Sequence, residues 1–89
     1  MEIKKHATAG TMESSDVYVE IEPGCSGLKI DLDSVVIGQF GESIRNVVLE
    51  VLAENGIAQA NIRIVDRGAL ECVLRARVET AIQRGKENA

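Results

Sequence analysis

Val17-Tyr18-Val19-Glu20-Ile21-Glu22-Pro23-Gly24-Cys25-Ser26-Gly27-Leu28-Lys29-Ile30-Asp31-Leu32-Asp33 decides the fold. Val17, Val19 and Ile21 fall on one side of an extended chain, and Tyr18, Glu20 and Glu22 on the other. This is the period-2 signature of a half-buried strand. Pro23 and Gly24 stop it, and a second alternation follows, with Leu28, Ile30 and Leu32 set against Lys29, Asp31 and Asp33. The short loop between the two predicts an antiparallel hairpin. An all-helical chain is therefore excluded.

Downstream the apolar period lengthens. Ile37, Phe40, Ile44, Val47, Val48, Val51 and Leu52 recur at three- and four-residue steps, which predicts a helix from an N-cap at Ser34 to about Asn55. Gly56 supplies the left-handed position that ends it, and Leu49 falls off the buried stripe. Ala60 to Val65 reads as a third strand with Ile62 and Ile64 inward, turned by Asp66-Arg67-Gly68. A last helix is predicted over Ala69 to Arg84, burying Leu70, Val73, Leu74, Val78, Ala81 and Ile82. Its other side carries Ala69, Cys72 and Ala76, ringed by Arg67, Arg75, Arg77 and Arg84. That side reads as a docking surface or as a solvated face of helix-favouring residues.

Strand, strand, helix, strand, helix is an α+β order. It predicts a two-layer sandwich, a small sheet covered on one face by two helices, with residues 1–89 as a single domain. Met1 to Thr11 shows no apolar repeat and is expected to be a mobile N-terminal segment; residues 85–89 are expected to be a polar tail.

The 89 residues carry a net charge of −4 and only two aromatic residues, Tyr18 and Phe40. An acidic chain without aromatic platforms suits no nucleic acid. No apolar run is long enough to span a membrane, and no secretory signal is visible, so a cytoplasmic location is expected. Cys25 and Cys72 read as reduced thiols, and His6, the one histidine, as a solvated imidazole. No metal cluster, phosphate-cradling loop or nucleophile beside a base can be assembled, so the chain is not expected to be an enzyme by itself.

Gly10-Thr11-Met12-Glu13-Ser14-Ser15-Asp16 places two serines between two acids just before the first strand. With no His or Cys beside them, they read either as a modified site or as a turn whose hydroxyls bond nearby backbone. Asp33-Ser34-Val35 resembles the Asp-Ser-Leu attachment site of four-helix acyl carrier proteins, but the strands before it favour a helix cap.

Three blocks together resemble the acyl carrier subunit (gamma chain) of citrate lyase. They are residues 9–17, Gln39-Phe40-Gly41-Glu42-Ser43-Ile44-Arg45, and Asp66-Arg67-Gly68-Ala69-Leu70-Glu71-Cys72-Val73-Leu74-Arg75-Ala76-Arg77. The resemblance implies a non-catalytic carrier whose Ser14 bears phosphoribosyl-dephospho-coenzyme A, covalently attached through a phosphodiester. Ser15, standing where that family often has Gly, is the lesser candidate. It further implies that the arm carries acetyl and citryl thioesters while citrate is cleaved to acetate and oxaloacetate. The implied partners are the alpha (acyl transferase) and beta (citryl lyase) subunits and a prosthetic-group transferase. Glu13 and Asp16 are expected to steer the attachment region to basic partner surfaces. Two alternatives stand beside this reading: the related carrier subunit of malonate decarboxylase, and a small unmodified α+β interaction module.

Overall fold

The structure, a computed structural model, describes residues 2–34 and 37–86, apart from the side chains of 37–41. Its elements are β1 (Ala7–Gly10), β2 (Val17–Glu22), β3 (Leu28–Ser34), α1 (Ile37–Glu54), β4 (Ala60–Asp66) and α2 (Glu71–Lys86). The strands form one sheet in the order β1-β2-β4-β3. β2 is antiparallel to both β1 and β4, whereas β3 runs parallel to β4. Both helices share a core with one face of the sheet, α2 over β1 and β2, and α1 over β3. The α+β two-layer arrangement is thus the one that the alternation and the helical periods predict.

The pairing differs from the expected hairpin, because β4 lies between β2 and β3. Ala60, Ile62, Ile64 and Val65 are all buried, so β4 is the strand best suited to the sheet's centre. The insertion also separates like charges on the open face. Arg63 is the register partner of both Glu20 on β2 and Asp31 on β3, and its guanidinium lies 3.7 Å from Glu20. Direct pairing of β2 with β3 would bring two acid-rich faces together, which is unfavourable between cross-strand neighbours.

The N-terminal segment is not a mobile arm. Ala7 and Ala9 are buried as β1, Ile3 is buried before them, and the Lys4 and Lys5 amides donate to the Gly85 carbonyl at 2.8 and 3.1 Å. Small residues are what this place demands, because α2 crosses β1 closely. At Gly85 itself a Cβ would come within 3.2 Å of Ile3 and 3.3 Å of Ile21. Gly85 is therefore a buried helix residue rather than the start of a tail; residues 87–89 lie outside those described. His6 has a partner too, with Nε2 2.6 Å from a Glu20 carboxylate oxygen.

In α1, Ile44, Val47, Val48, Val51 and Leu52 are buried and Leu49 is exposed. The predicted contributions of Ile37 and Phe40 fall outside the described side chains. Gly56, at φ 68°, closes the helix with the paired bonds of a Schellman motif, its amide to Ala53 and that of Ile57 to Leu52. In α2 the core side is Leu74, Val78, Ala81 and Ile82, while Cys72 and Ala76 are exposed. Leu70, expected in the core, is 71% exposed. The helix begins one residue later, so Leu70 has no helical phase, and Ala69 turns toward the core instead.

Candidate functional site

One end of the sheet gathers the residues that matter. Gly10 pairs with Tyr18, Val17 with Asp66, and Asp66 with Ser34, so residues 11–16, the end of β3 and the end of β4 share that end. From it the chain runs through Arg67, whose carbonyl the loop's Ser15 amide reaches, into α2, so the start of α2 lies near the 11–16 loop.

Within the loop, the Asp16 amide donates to the Glu13 carbonyl at 3.1 Å, closing a four-residue turn. Ser15 has φ 66° and Ser14 does not share a positive value, the sign pattern of a type II turn with Ser14 at its corner. The glycine often found here in the family that the sequence resembles has a physical reason in that φ. Ser15 is held there by its amide, which donates to the Arg67 carbonyl at 2.8 Å. Ser14 and Ser15 are both exposed. The Ser14 hydroxyl has no hydrogen-bond partner among the described residues.

Asp16 anchors the turn. Its carboxylate accepts from the Thr11 hydroxyl at 2.7 Å, the Val17 amide at 2.7 Å, and Arg77 through Nε at 3.2 Å and Nη2 at 3.3 Å. The Thr11 and Val17 bonds, reinforced by Arg77, lower its pKa to about 2. Asp16 was expected to face basic partner surfaces; it is instead engaged inside the molecule, with a side chain only 16% exposed. Glu13 remains exposed. Gly10 is the other fixed point, since at φ 85° an added Cβ would sit 1.8 Å from the Val17 carbonyl oxygen.

The arginines around α2 are largely used internally. Arg75 bridges Glu50 and Glu71, Arg77 holds Asp16, and Arg84 donates to the Thr8 carbonyl. Arg67, exposed in the β4–α2 turn, makes no ion pair among the described residues. Ser34 is buried at the end of β3 and donates to Asp66 at 2.8 Å, so its oxygen does not face solvent as an attachment site would. The cap expected of it would involve residues 35–36, outside those described. The Arg77–Asp16 pair, separated by 61 positions, carried no sequence signal.

Cys25 and Cys72 are exposed free thiols. Among the described residues, no group of His, Cys, Asp and Glu could hold a metal, and no helix is long and apolar enough to cross a membrane.

Ser14 is thus an exposed serine at the corner of a turn held by Arg67 and Asp16. Residues 4–85 match the family model described as "ACP: Malonate decarboxylase delta subunit (MdcD)". The citrate lyase acyl carrier protein of Klebsiella pneumoniae is 52% identical, over 98% of this chain and 91% of that protein. That of Lactiplantibacillus plantarum is 48% identical, again over 98% and 91%. A chain in the crystal structure of a Pseudomonas malonate decarboxylase hetero-tetramer in complex with malonate superposes with a TM-score of 0.81. It is 25% identical, covering 94% of this chain and 87% of that one. The chain belongs to this acyl carrier family, on the side of the citrate lyase acyl carrier proteins. Its role is that of a carrier rather than a catalyst, and membership implies a covalently attached prosthetic group and a complex with other subunits.

Proposed function

We propose that this chain is the acyl carrier subunit of a citrate lyase and that Ser14 bears phosphoribosyl-dephospho-coenzyme A through a phosphodiester. The observation that carries the site is the placement of Ser14 at the exposed corner of a turn tied down on both sides. A pendant arm needs an outward hydroxyl on a rigid base, and Ser14 supplies it. Ser15 suits the role less, because its left-handed backbone and its bond to Arg67 serve to shape the turn.

The surroundings fit the group. A phosphodiester adds negative charge, and the beginning of α2, joined to the turn through Arg67, presents the favourable end of a helix dipole. Arg67, exposed on the segment whose carbonyl holds Ser15, adds a cation beside the turn. When bound, the group supplies a thiol on which an acyl chain is held as a thioester. The protein's part is tethering: a tethered acyl group meets each partner at an effective concentration of about mM order for a short flexible link. Exposed Met12 in the loop and exposed Leu70 at the start of α2 offer apolar contacts to the proteins that must reach Ser14. The partners are the alpha and beta subunits and the transferase that attaches the arm. Two exposed free thiols suit a reducing compartment, and we place the protein in the cytoplasm.

A malonate decarboxylase carrier is the second reading, favoured by the matching family model and by the superposition on a malonate decarboxylase chain. The first reading is supported by identity, which is about half with the citrate lyase carriers and a quarter with the malonate decarboxylase chain. Loaded carrier should be mixed with purified citrate lyase alpha and beta subunits, and separately with the remaining malonate decarboxylase subunits. Citrate cleavage in the first mixture alone is expected. Malonate decarboxylation without citrate cleavage would overturn the assignment.

A further inference from the structure

Four donors converge on Asp16, although it lies on an exposed loop. Thr11 reaches it from the end of β1, Val17 from the start of β2, and Arg77 with two nitrogens from the second turn of α2. The same Thr11 oxygen accepts the Glu13 amide at 3.2 Å, so the carboxylate, the threonine and the turn form one connected unit. Together with the backbone bonds between Ser15 and Arg67 and between Arg67 and Asp16, the unit fixes the backbone of residues 13–16, in which Ser15 has a positive φ that non-glycine residues seldom adopt. The core has no evident need of it: every member of the apolar cluster lies outside residues 11–16.

We infer that Asp16, Arg77 and Thr11 are positioning residues for the loading of Ser14, holding the turn so that the Ser14 hydroxyl is presented to the transferase. The inference rests on the reading of Ser14 as the attachment residue. In loading, the Ser14 oxygen attacks the phosphorus of a phosphoric anhydride donor. A serine O–P bond forms, the anhydride O–P bond breaks and its phosphate leaves, and the hydroxyl proton passes to a base of the transferase. The turn is a pre-paid orientation for that attack, of the kind that lowers the entropic cost of bringing two reactants together.

The test is steady-state loading by the transferase, with full-length carrier as the varied substrate and intact mass as the readout. Arg77→Ala should raise KM for the carrier with kcat nearly unchanged. If the presented conformer falls to about a tenth of the population, the rise is about tenfold. Arg77→Lys should recover part of the loss, and Ser15→Gly placed in the Arg77→Ala background should recover more, because glycine takes a positive φ without steric cost. Urea unfolding of Arg77→Ala should still show one cooperative transition, since Arg77 is partly exposed and outside the apolar cluster. Wild-type KM in Arg77→Ala, with wild-type carrier loaded on Ser14, would overturn the inference while leaving the attachment site standing. Loading of Ser14→Ala would remove both.

Discussion

The Ser34 hydroxyl donates a 2.8 Å hydrogen bond to Oδ2 of Asp66, joining the buried ends of the parallel strands β3 and β4. The other carboxylate oxygen accepts the Gly68 and Ala69 amides at 3.3 and 3.0 Å, so Asp66 also shapes the turn that leads into α2. Ser34→Ala removes a donor from a buried carboxylate and should cost about 1–3 kcal/mol. Urea unfolding measures it, and an unchanged midpoint would count against the bond. The arm should still be attached in this variant.

Removing residues 1–11 should be strongly destabilising. Ile3 alone is 5% exposed, a burial worth about 1.5–3 kcal/mol. The deletion also strips β1 from β2 and frees the Gly85 carbonyl. A melting temperature close to that of the full chain would contradict the docking of this segment.

The strands and helices marked by strong contrast were legible in the sequence. Apolar residues alternating with polar or charged ones identified β2 and β3, and the spacing of Ile44, Val47, Val48, Val51 and Leu52 identified α1. β1 was hidden because Ala-Thr-Ala-Gly offers almost no hydrophobic contrast, yet its small residues are what let α2 come close. The order of strands was hidden for another reason: adjacency in the chain favoured a β2–β3 hairpin, and only the burial of β4 shows why it takes the centre. At the site, the serines stood out locally, but the hold of Arg77 on Asp16 joins residues 61 positions apart. No spacing rule reaches that far.

Two leucines four residues apart should behave oppositely. Leu74 is the first buried residue on the core side of α2, and Leu74→Ala should cost about 2–5 kcal/mol. Leu70→Ala should leave the unfolding midpoint within about 0.5 kcal/mol of the wild type, as for other surface substitutions. A large loss for Leu70→Ala would mean that this side chain is covered.

Strong acid should loosen the turn. Asp16 has its pKa lowered from 3.8 to about 2, so the folded state binds its proton less readily than the unfolded chain does. The stabilisation is complete above about pH 4 and is lost as pH falls through about 2. Amide NMR shifts of Ser15 and Asp16 should titrate in that window in the wild type and lose the titration in Asp16→Asn. A midpoint near 4 in the wild type would show that Thr11, Val17 and Arg77 do not hold the carboxylate.

Attachment of the arm at Ser14 is tested most directly by the intact mass of the Ser14→Ala protein made in a host that supplies the matching transferase. Wild-type and Ser15→Ala proteins should both gain the mass of the phosphoribosyl-dephospho-coenzyme A group, located on Ser14 by peptide mapping. Ser14→Ala should remain folded and gain nothing. The same added mass on Ser14→Ala protein would contradict the account.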